Sequence, residues 1–401
     1  MSPPDKVAFV LKLGRAMHAS GYAAHRLEEV LAATAQRLGL DAQFFSTPTS
    51  IFAAFGRDEH QRTYLLRVEP GDVDLGRLAH LDRVLLRVLS GELTATAGAG
   101  ALDALATAPP RYGGLTTALA FGLTSAAAGR FLGGGLVEIA VAAVIGLAIG
   151  LLAGLVRVVP RSARIFEALA AFTAAVIAAI VSIVVAPHSV FVATLAGLIV
   201  LIPGFTLTVA MNELATRHLV SGTARLSGAL LIFLTIIFGV AIGNRLVQAL
   251  LGAPLIVEPV GLPLWTELVA LFVAPLGFAI LLRAELRDLP WIQLAGWLAF
   301  GGARLGGMAL GPELGVFVGA LTVGVASNLY ALALDRPSQI PLVPGVLLLV
   351  PGSIGFRSLA SLLDRQVISG VETAFTMVLM ATALVAGLLV ANVVVPRRTS
   401  G

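Results

Sequence analysis

The chain has 401 residues, of which 57% are apolar and 12% are charged, about half the charged share of an ordinary soluble domain. This composition excludes an ordinary soluble protein and predicts an integral membrane protein. The chain has no cysteine and no H-E-x-x-H pair, which excludes disulfides, thiolate catalysis and the common zinc sites. We therefore expect neither a metal nor another cofactor.

Charge is distributed unevenly along the chain. Residues 1–110 contain 11 Lys/Arg and 12 Asp/Glu, whereas residues 111–401 contain 16 and 11. This difference predicts a soluble head at 1–110 followed by a membrane domain. Because the head is nearly neutral, nucleic acid is not an expected partner. The chain starts in a charged amphipathic stretch rather than a signal peptide, so we expect a cytoplasmic head and a membrane domain in the plasma membrane.

The head pattern predicts a small α+β domain in the order ααβββαα. The predicted helices cover 7–17, 23–38, 75–89 and 95–107, and the predicted strands cover 43–46, 51–55 and 62–68. His25 and Glu28 lie near one helix start, where the helix dipole favours acidic residues. Since no spacing of nucleophile, base and orienting residue is visible, we expect a regulatory head and no enzyme. A catalytic head that uses His25 and Glu28 is the alternative.

Ten apolar stretches follow the head, each close to the length that crosses a ~30 Å hydrocarbon core as a helix. They cover 114–132, 136–156, 165–186, 190–211, 228–250, 262–282, 291–309, 314–334, 340–360 and 371–394. With the head inside, the inner connections carry Arg111, Arg157, Arg161, Arg164, Arg217, Arg225, Arg283, Arg287, Arg336, Arg397 and Arg398, and the outer ones carry Arg130, Arg245, Arg304, Arg357 and Arg365. This excess of inner arginines favours cytoplasmic N- and C-termini.

Residues 197–246 repeat at an offset of 148 residues, with 11 identities in 50 positions and no gap. The identities include Pro203-Gly204 with Pro351-Gly352, Arg217 with Arg365, Ser221 with Ser369 and Asn244 with Asn392. The two halves, 111–250 and 251–401, hold five predicted spans each, so the second half is predicted to be inverted. Inverted repeats are typical of secondary transporters that work by alternating access.

Both Pro-Gly pairs fall inside predicted spans, where they are expected to break the helix. Broken helices usually line a cavity and can direct helix N-termini at an anionic group such as a carboxylate. The predicted transport site consists of the two breaks and of polar residues after them or in repeat-related positions: Pro203, Gly204, Thr206, Asn212, Glu213, Arg217, Ser221, Asn244, Pro351, Gly352, Ser353, Arg357, Arg365, Ser369 and Asn392. Glu213 is the best candidate for a proton-carrying carboxylate because it follows the first break.

Three segments of the chain resemble the threonine/serine exporter family. The segment from Ser20 to Val30, followed by Gly39 and Leu40, is similar to that family's cytoplasmic domain. Leu201–Gly204 and Leu342–Arg357 are similar to its membrane motifs. The resemblance covers nearly the whole chain and implies export of small hydroxylated amino acids driven by the proton motive force, with head and membrane domain acting as one unit. In other members the two halves are separate subunits, associated with export of a dicarboxylate such as succinate.

The residues leave the substrate open. A zwitterion needs one cationic contact and one acceptor for its ammonium group, and Asn212 with Glu213 favours this substrate. A dicarboxylate needs two cationic contacts, which Arg217, Arg357 and Arg365 permit. A passive channel and a membrane enzyme are the further alternatives. Glycine-rich spans permit close contacts between helices and therefore a homodimer. The other expected partners are the lipid bilayer, protons and a small-molecule substrate.

Overall fold

The computed structural model describes residues 3–158 and 164–396. Three of the inner arginines, Arg161, Arg397 and Arg398, lie outside the described residues. The described chain is mostly helical, with one three-stranded sheet near its start.

The head has the predicted order of helices and strands. Its elements are α1 (Pro3–Ala19), α2 (Ala24–Arg37), β1 (Ala42–Thr47), β2 (Ser50–Phe55), β3 (Arg62–Arg67), α3 (Leu75–Leu89) and α4 (Ala95–Thr107). The strands form an antiparallel sheet in the order β1-β2-β3, with Phe45 opposite Phe52 and Ile51 opposite Leu66. Ile51, Ala53 and Phe55 alternate into the core, because successive side chains of a strand point to opposite faces.

Twelve further helices are described after the head. They are α5 (Gly114–Phe131), α6 (Leu136–Val158), α7 (Phe166–Val184), α8 (Val190–Gly197), α9 (Gly204–Ala215), α10 (Leu219–Leu251), α11 (Trp265–Leu281), α12 (Leu289–Leu310), α13 (Pro312–Leu334), α14 (Gln339–Leu347), α15 (Gly352–Leu363) and α16 (Val367–Val394). Six stretches in the described chain are long and apolar enough to cross a membrane: Leu136–Val156, Phe166–Val184, Leu219–Leu251, Pro312–Leu334, Gln339–Leu363 and Val367–Val394. The protein is therefore an integral membrane protein.

Six such stretches in the described chain are fewer than the ten predicted spans, so the count of ten stays a prediction. The boundaries also differ from the predicted spans, most clearly at two kinds of position. The stretches 190–211 and 340–360 are not continuous helices, since each is divided at its Pro-Gly pair into a pair of short helices. Helix α10 begins at Leu219 rather than at residue 228, and α16 at Val367 rather than at residue 371. In both cases the helix starts before a Ser-Gly pair, Ser221-Gly222 or Ser369-Gly370, that interrupts the apolar residues.

The two helix breaks meet each other inside the membrane domain. A Cβ atom placed on Gly204 would lie 3.0 Å from the Cα of Gly352 and would also clash with Val350. A Cβ atom placed on Gly352 would lie 3.2 Å from the Cα of Gly204 and 2.7 Å from Ile202. The contact is reciprocal, because Val350 and Gly352 stand 148 residues after Ile202 and Gly204. We call this contact the crossing.

Residues related by the repeat also share backbone geometry. Pro203 (φ −78, ψ 38) and Pro351 (φ −79, ψ 30) are the N-cap residues of α9 and α15. Arg217 and Arg365 both have left-handed backbones, with φ of 66 and 61, in the turns that follow these helices. The structure therefore repeats at the same offset as the sequence around both breaks.

The glycine-rich stretch of α12 is used within the chain. Gly302 lies against Gly319 of α13, and Gly306 lies against Gly315, so that these helices approach each other closely. These glycines thus have an internal packing partner, and the homodimer stays a prediction.

A Cβ atom at the crossing should destabilise the membrane domain. We expect Gly204→Ala to lower the free energy of unfolding by about 1–3 kcal/mol, because the added methyl group has no space. The matched control is Gly228→Ala in α10, where a Cβ atom meets nothing within 4 Å. That control should be neutral or stabilising by up to about 1 kcal/mol through helix propensity. Thermal unfolding of the two purified variants checks this, and equal melting temperatures would contradict it.

Candidate functional site

A cavity of about 110 Å³ lies between the head and the two broken segments. Helix α9 lines it with residues 205, 208, 209 and 212, and α14 lines it with residues 339, 342, 343 and 346. Both sets follow the i, i+3, i+4, i+7 spacing of a single helix face. The turn between α1 and α2 and the start of α2 cover the cavity on the head side with Gly21, Tyr22, Ala23, His25 and Arg26.

The cavity has apolar walls and a few polar groups. Phe205, Val343 and Leu388 contribute to the apolar surface. The buried hydroxyl of Thr208 donates to the carbonyl of Gly204 at 3.1 Å, so its oxygen retains acceptor capacity. The Asn212 side chain lies 3.3 Å from Nε2 of His25 on the head. An apolar pocket with a few convergent polar groups is the usual form of a small-molecule site.

The carboxylate of Glu213 lies directly behind this cavity wall and is fully buried. Its Oε1 accepts a hydrogen bond from the backbone N–H of Ala24 at 2.8 Å. Arg225 of α10 donates to the same carboxylate from 3.2 Å. The arginine compensates the buried negative charge, and the helix dipole of α2 adds a favourable interaction.

This hydrogen bond caps a helix of the head from the membrane domain. The N-cap residue of α2 is Ala23, which has no side chain that could accept from the free N–H groups of the first turn. Glu213, 189 residues later in the chain, supplies the missing acceptor. The N–H group of Ala24, the first residue of α2, thus has an acceptor when the head is docked.

His25 and Glu28 also connect the head to the membrane domain. Oε2 of Glu28 lies 3.3 Å from Nε2 of His218, in the turn between α9 and α10. Oε1 of Glu28 accepts from the backbone N–H of Ser46 at 2.7 Å. The rings of His25 and His218 are 5.8 Å apart. Both residues of the catalytic alternative are therefore engaged in structural contacts.

A second contact area joins α3 of the head to the connection between α11 and α12. The backbone N–H of Leu75 donates to the carbonyl of Leu282 at 2.9 Å. Arg283 donates to Asp74 at 3.1 Å, and Tyr112, in the linker that follows the head, donates to the carbonyl of Ala284 at 2.8 Å. With the contacts of α2, these bonds hold the head on the membrane domain at two separated places.

The structure brings some of the predicted site residues together and separates others. Pro203, Gly204, Pro351 and Gly352 are buried at the crossing, with Thr206 and Ser353 in the first turns of α9 and α15. Asn212 lines the cavity, and Glu213 lies behind it. Ser221 is buried early in α10, and Asn392 lies near the end of α16, where it accepts from Asn328 at 3.1 Å. The predicted residues with exposed side chains, away from the cavity, are Arg217, Asn244, Arg357, Arg365 and Ser369.

Several lining residues were not among the predicted ones. Phe205, Thr208, Gln339 and Leu342 belong to helix faces that become recognisable once the bounds of α9 and α14 are known. Thr208, in the same turn as Thr206, was the one with a signal in the sequence, a hydroxyl after the first break. The sequence does not indicate that the turn between α1 and α2 lines the cavity, because this depends on how two segments far apart in the chain dock.

Family models match most of the chain. A model described as "Putative threonine/serine exporter" matches residues 8–247, and one described as "Threonine/Serine exporter, ThrE" matches residues 267–394. The chain belongs to the threonine/serine exporter family. The first match runs across both the head and the first half of the membrane domain, in agreement with the resemblance of the segments around Ser20–Val30 and Leu201–Gly204.

Relatives of this exporter-family chain occur among fungal proteins. It is 27% identical to a pheromone-regulated membrane protein 10 of Candida albicans (strain WO-1) over 91% of its own length and 34% of the relative. It is 25% identical to the protein of that name from Saccharomyces cerevisiae (strain YJM789), over 92% of its own length and 48% of the relative. The chain thus spans about a third to a half of the length of these curated relatives. No solved structure matches it.

The stability of the protein should depend on His18 below neutral pH. Burial is the largest cause that lowers the pKa of His18 from its ordinary value of 6.5, while its hydrogen bond to the Thr47 carbonyl opposes this. Between pH 6.5 and the lower folded pKa, the unfolded chain takes up a proton that the folded chain refuses, so the free energy of unfolding falls as the pH falls. Below the folded pKa this loss is complete.

We expect His18→Gln to remove this part of the pH dependence, since glutamine still donates to Thr47 but does not titrate. Thermal unfolding of both proteins between pH 5 and pH 8 checks this. The other histidines remain in both proteins, so parallel stability curves would contradict the assignment to His18.

Proposed function

We propose that this protein is a secondary active transporter that exports threonine and serine across the plasma membrane, driven by the proton motive force. The observation that carries the proposal is the small cavity between two broken helices, lined by hydroxyl, amide and imidazole groups beside apolar side chains. Membership of the exporter family supports transport as the activity.

The contacts of the head support a topology of ten crossings with both termini in the cytoplasm. The head touches the α9–α10 turn through His218 and the α11–α12 connection through Arg283, and it shares a crevice with Arg336 after α13. In the ten-span topology these three connections lie on the head side. Arg130 and Arg304, both assigned to the outer side, pair with the same residue, Glu267.

The crossing supports alternating access of two inverted repeats. The N-termini of α9 and α15 begin at neighbouring glycines, Gly204 and Gly352. Each N-terminus carries a partial positive charge, which suits the carboxylate of an amino acid. Rocking of one half against the other around this point exposes it to either side in turn.

The charges around the cavity favour a zwitterion over a dicarboxylate. Arg26 is the one guanidinium among the described residues that line it. Arg217, Arg357 and Arg365, the cations that permit a dicarboxylate, have exposed side chains outside the lining. Asn212 and Thr208 offer oxygen acceptors for an ammonium or hydroxyl group. Dicarboxylate export by the same architecture is the alternative.

Transport to and from the cytoplasm requires movement of the head turn that covers the cavity. The buried Glu213 holds this turn through Ala24 and holds α10 through Arg225. A proton on Glu213 would weaken both contacts, because a neutral carboxyl attracts neither the guanidinium nor the helix dipole as strongly. We therefore assign Glu213 as the proton carrier that couples the gradient to opening.

The transport assignment is tested by counterflow of labelled threonine into proteoliposomes loaded with unlabelled serine, succinate or alanine. Trapped serine should drive accumulation and trapped succinate should not. Labelled succinate that exchanges in place of threonine would move the protein to the dicarboxylate alternative. Chemical conversion of threonine would favour the enzyme, and uptake that a competing substrate does not reduce would favour the channel.

Removing one polar group from the cavity should weaken substrate binding. We expect Thr208→Val and Asn212→Ala to raise the threonine KM about tenfold each, as is typical for loss of one hydrogen bond to a charged ligand. The matched control is Thr382→Val on the exposed face of α16, where the threonine hydroxyl makes the same kind of bond to its own helix. If the cavity variants and this control transport equally well, the cavity is not the substrate site.

Replacing the buried carboxylate should separate exchange from proton coupling. We expect Glu213→Gln to retain threonine/serine counterflow, because exchange needs no net proton movement, and to lose accumulation driven by a pH gradient. Counterflow also reports that the variant is folded. Gradient-driven accumulation at the wild-type rate would exclude Glu213 as the carrier, whatever the substrate proves to be.

A further inference from the structure

Several arginines gather around one carboxylate at the head side of the membrane domain. Glu285, in the connection between α11 and α12, pairs with Arg83 of the head and Arg111 of the linker, each at 3.3 Å, and with neighbouring Arg287. The pKa of Glu285 is lowered although burial would raise it, because the hydrogen bond and charge of Arg287 and the charge of Arg83 outweigh burial.

The arginines outnumber their acidic partners. Arg336, the fourth arginine at Glu285, is held mainly by a two-pronged pair with Asp288. This leaves one carboxylate for three guanidinium groups, those of Arg83, Arg111 and Arg287. Their side chains are 50%, 39% and 56% exposed, whereas Glu285 is 9% exposed. Positive charge thus accumulates on the open side of the cluster, where a further anion can approach.

The position of the cluster identifies the anion. Leu286 is strongly exposed beside Arg287, and Trp291 is exposed in the first turn of α12. An exposed apolar side chain and a tryptophan next to a charged connection are typical of the membrane–water interface. At this depth the abundant anions are lipid phosphates, and arginine binds phosphate with two parallel hydrogen bonds.

We propose that Arg83, Arg111 and Arg287 bind the headgroup of an anionic phospholipid in the leaflet on the head side. The three arginines come from the head, the linker and the membrane domain, so one phosphate group connects all three. The lipid supplies the negative charge that Glu285 alone does not provide, and it stabilises the docked head. This site is separate from the cavity and does not depend on the transported substrate.

The proposal is tested with full-length protein in vesicles of equal parts phosphatidylcholine and phosphatidylglycerol. After extraction, native mass spectrometry counts each lipid that remains bound. The wild type should retain phosphatidylglycerol over phosphatidylcholine, and Arg83→Gln/Arg287→Gln should retain several-fold less of it. The control Arg245→Gln/Arg304→Gln removes two arginines from the opposite side and should behave as the wild type does.

A variant that is expected to increase lipid binding distinguishes a lipid site from simple damage to the contact between head and membrane domain. Glu285→Gln removes the competing carboxylate and should increase bound phosphatidylglycerol, whereas a purely structural cluster would lose lipid in either variant. Arg83→Lys/Arg287→Lys keeps the charge and loses the forked geometry, so it should give an intermediate amount.

Three results would overturn the proposal. They are equal retention of the two lipids by the wild type, unchanged phosphatidylglycerol on Arg83→Gln/Arg287→Gln, and displacement of the lipid by glycerol 3-phosphate at equal concentration. The last result would show that the cluster binds soluble phosphates rather than membrane lipid.

Discussion

The membrane domain depends on the close approach of Gly204 and Gly352, where two helices from different halves of the chain stop and restart. A proline at each break removes a backbone donor, and a glycine removes the side chain that would keep the two backbones apart. Neither break would be tolerable against lipid, because the freed backbone groups need partners there. Each break is instead buried against the other. The polar residues of α9 lie between this crossing and the head.

The head and the membrane domain depend on each other at their contact. Its α2 starts without a capping side chain and takes Glu213 as the acceptor, while its turn from Gly21 to Arg26 covers the space between α9 and α14. The same few contacts therefore stabilise the head helix, give a buried carboxylate a hydrogen-bond donor and close a cavity. Loss of any one of them would affect the other two.

The sequence was sufficient for the parts that rest on local signals. The short aromatic-rich run of residues 51–55 predicted β2, and the two Pro-Gly pairs predicted the helix breaks. Arg217 and Arg365, which the repeat offset relates, share a left-handed backbone conformation.

The remaining parts rest on contacts between residues far apart in the chain. The bond of Ala24 to Glu213 joins positions 189 residues apart, and that of His25 to Asn212 joins positions 187 apart. No periodicity or motif records such a docking. Arg357 and Asn244 were predicted at the site, but their side chains are exposed. Whether a polar residue in an apolar stretch points inward or outward depends on how its helix packs against other helices, which the local sequence does not show.

The crossing also has a consequence for biosynthesis. The first break leaves the ribosome 148 residues before the second one. At about 5–20 residues per second, this interval is roughly 7–30 s. Throughout it, the break at Pro203 and Gly204 lacks the second break, against which it is packed in the folded protein. Synthesis speed between the two halves thus sets how long the nascent chain stays vulnerable, a demand that a transporter made of unbroken helices does not face.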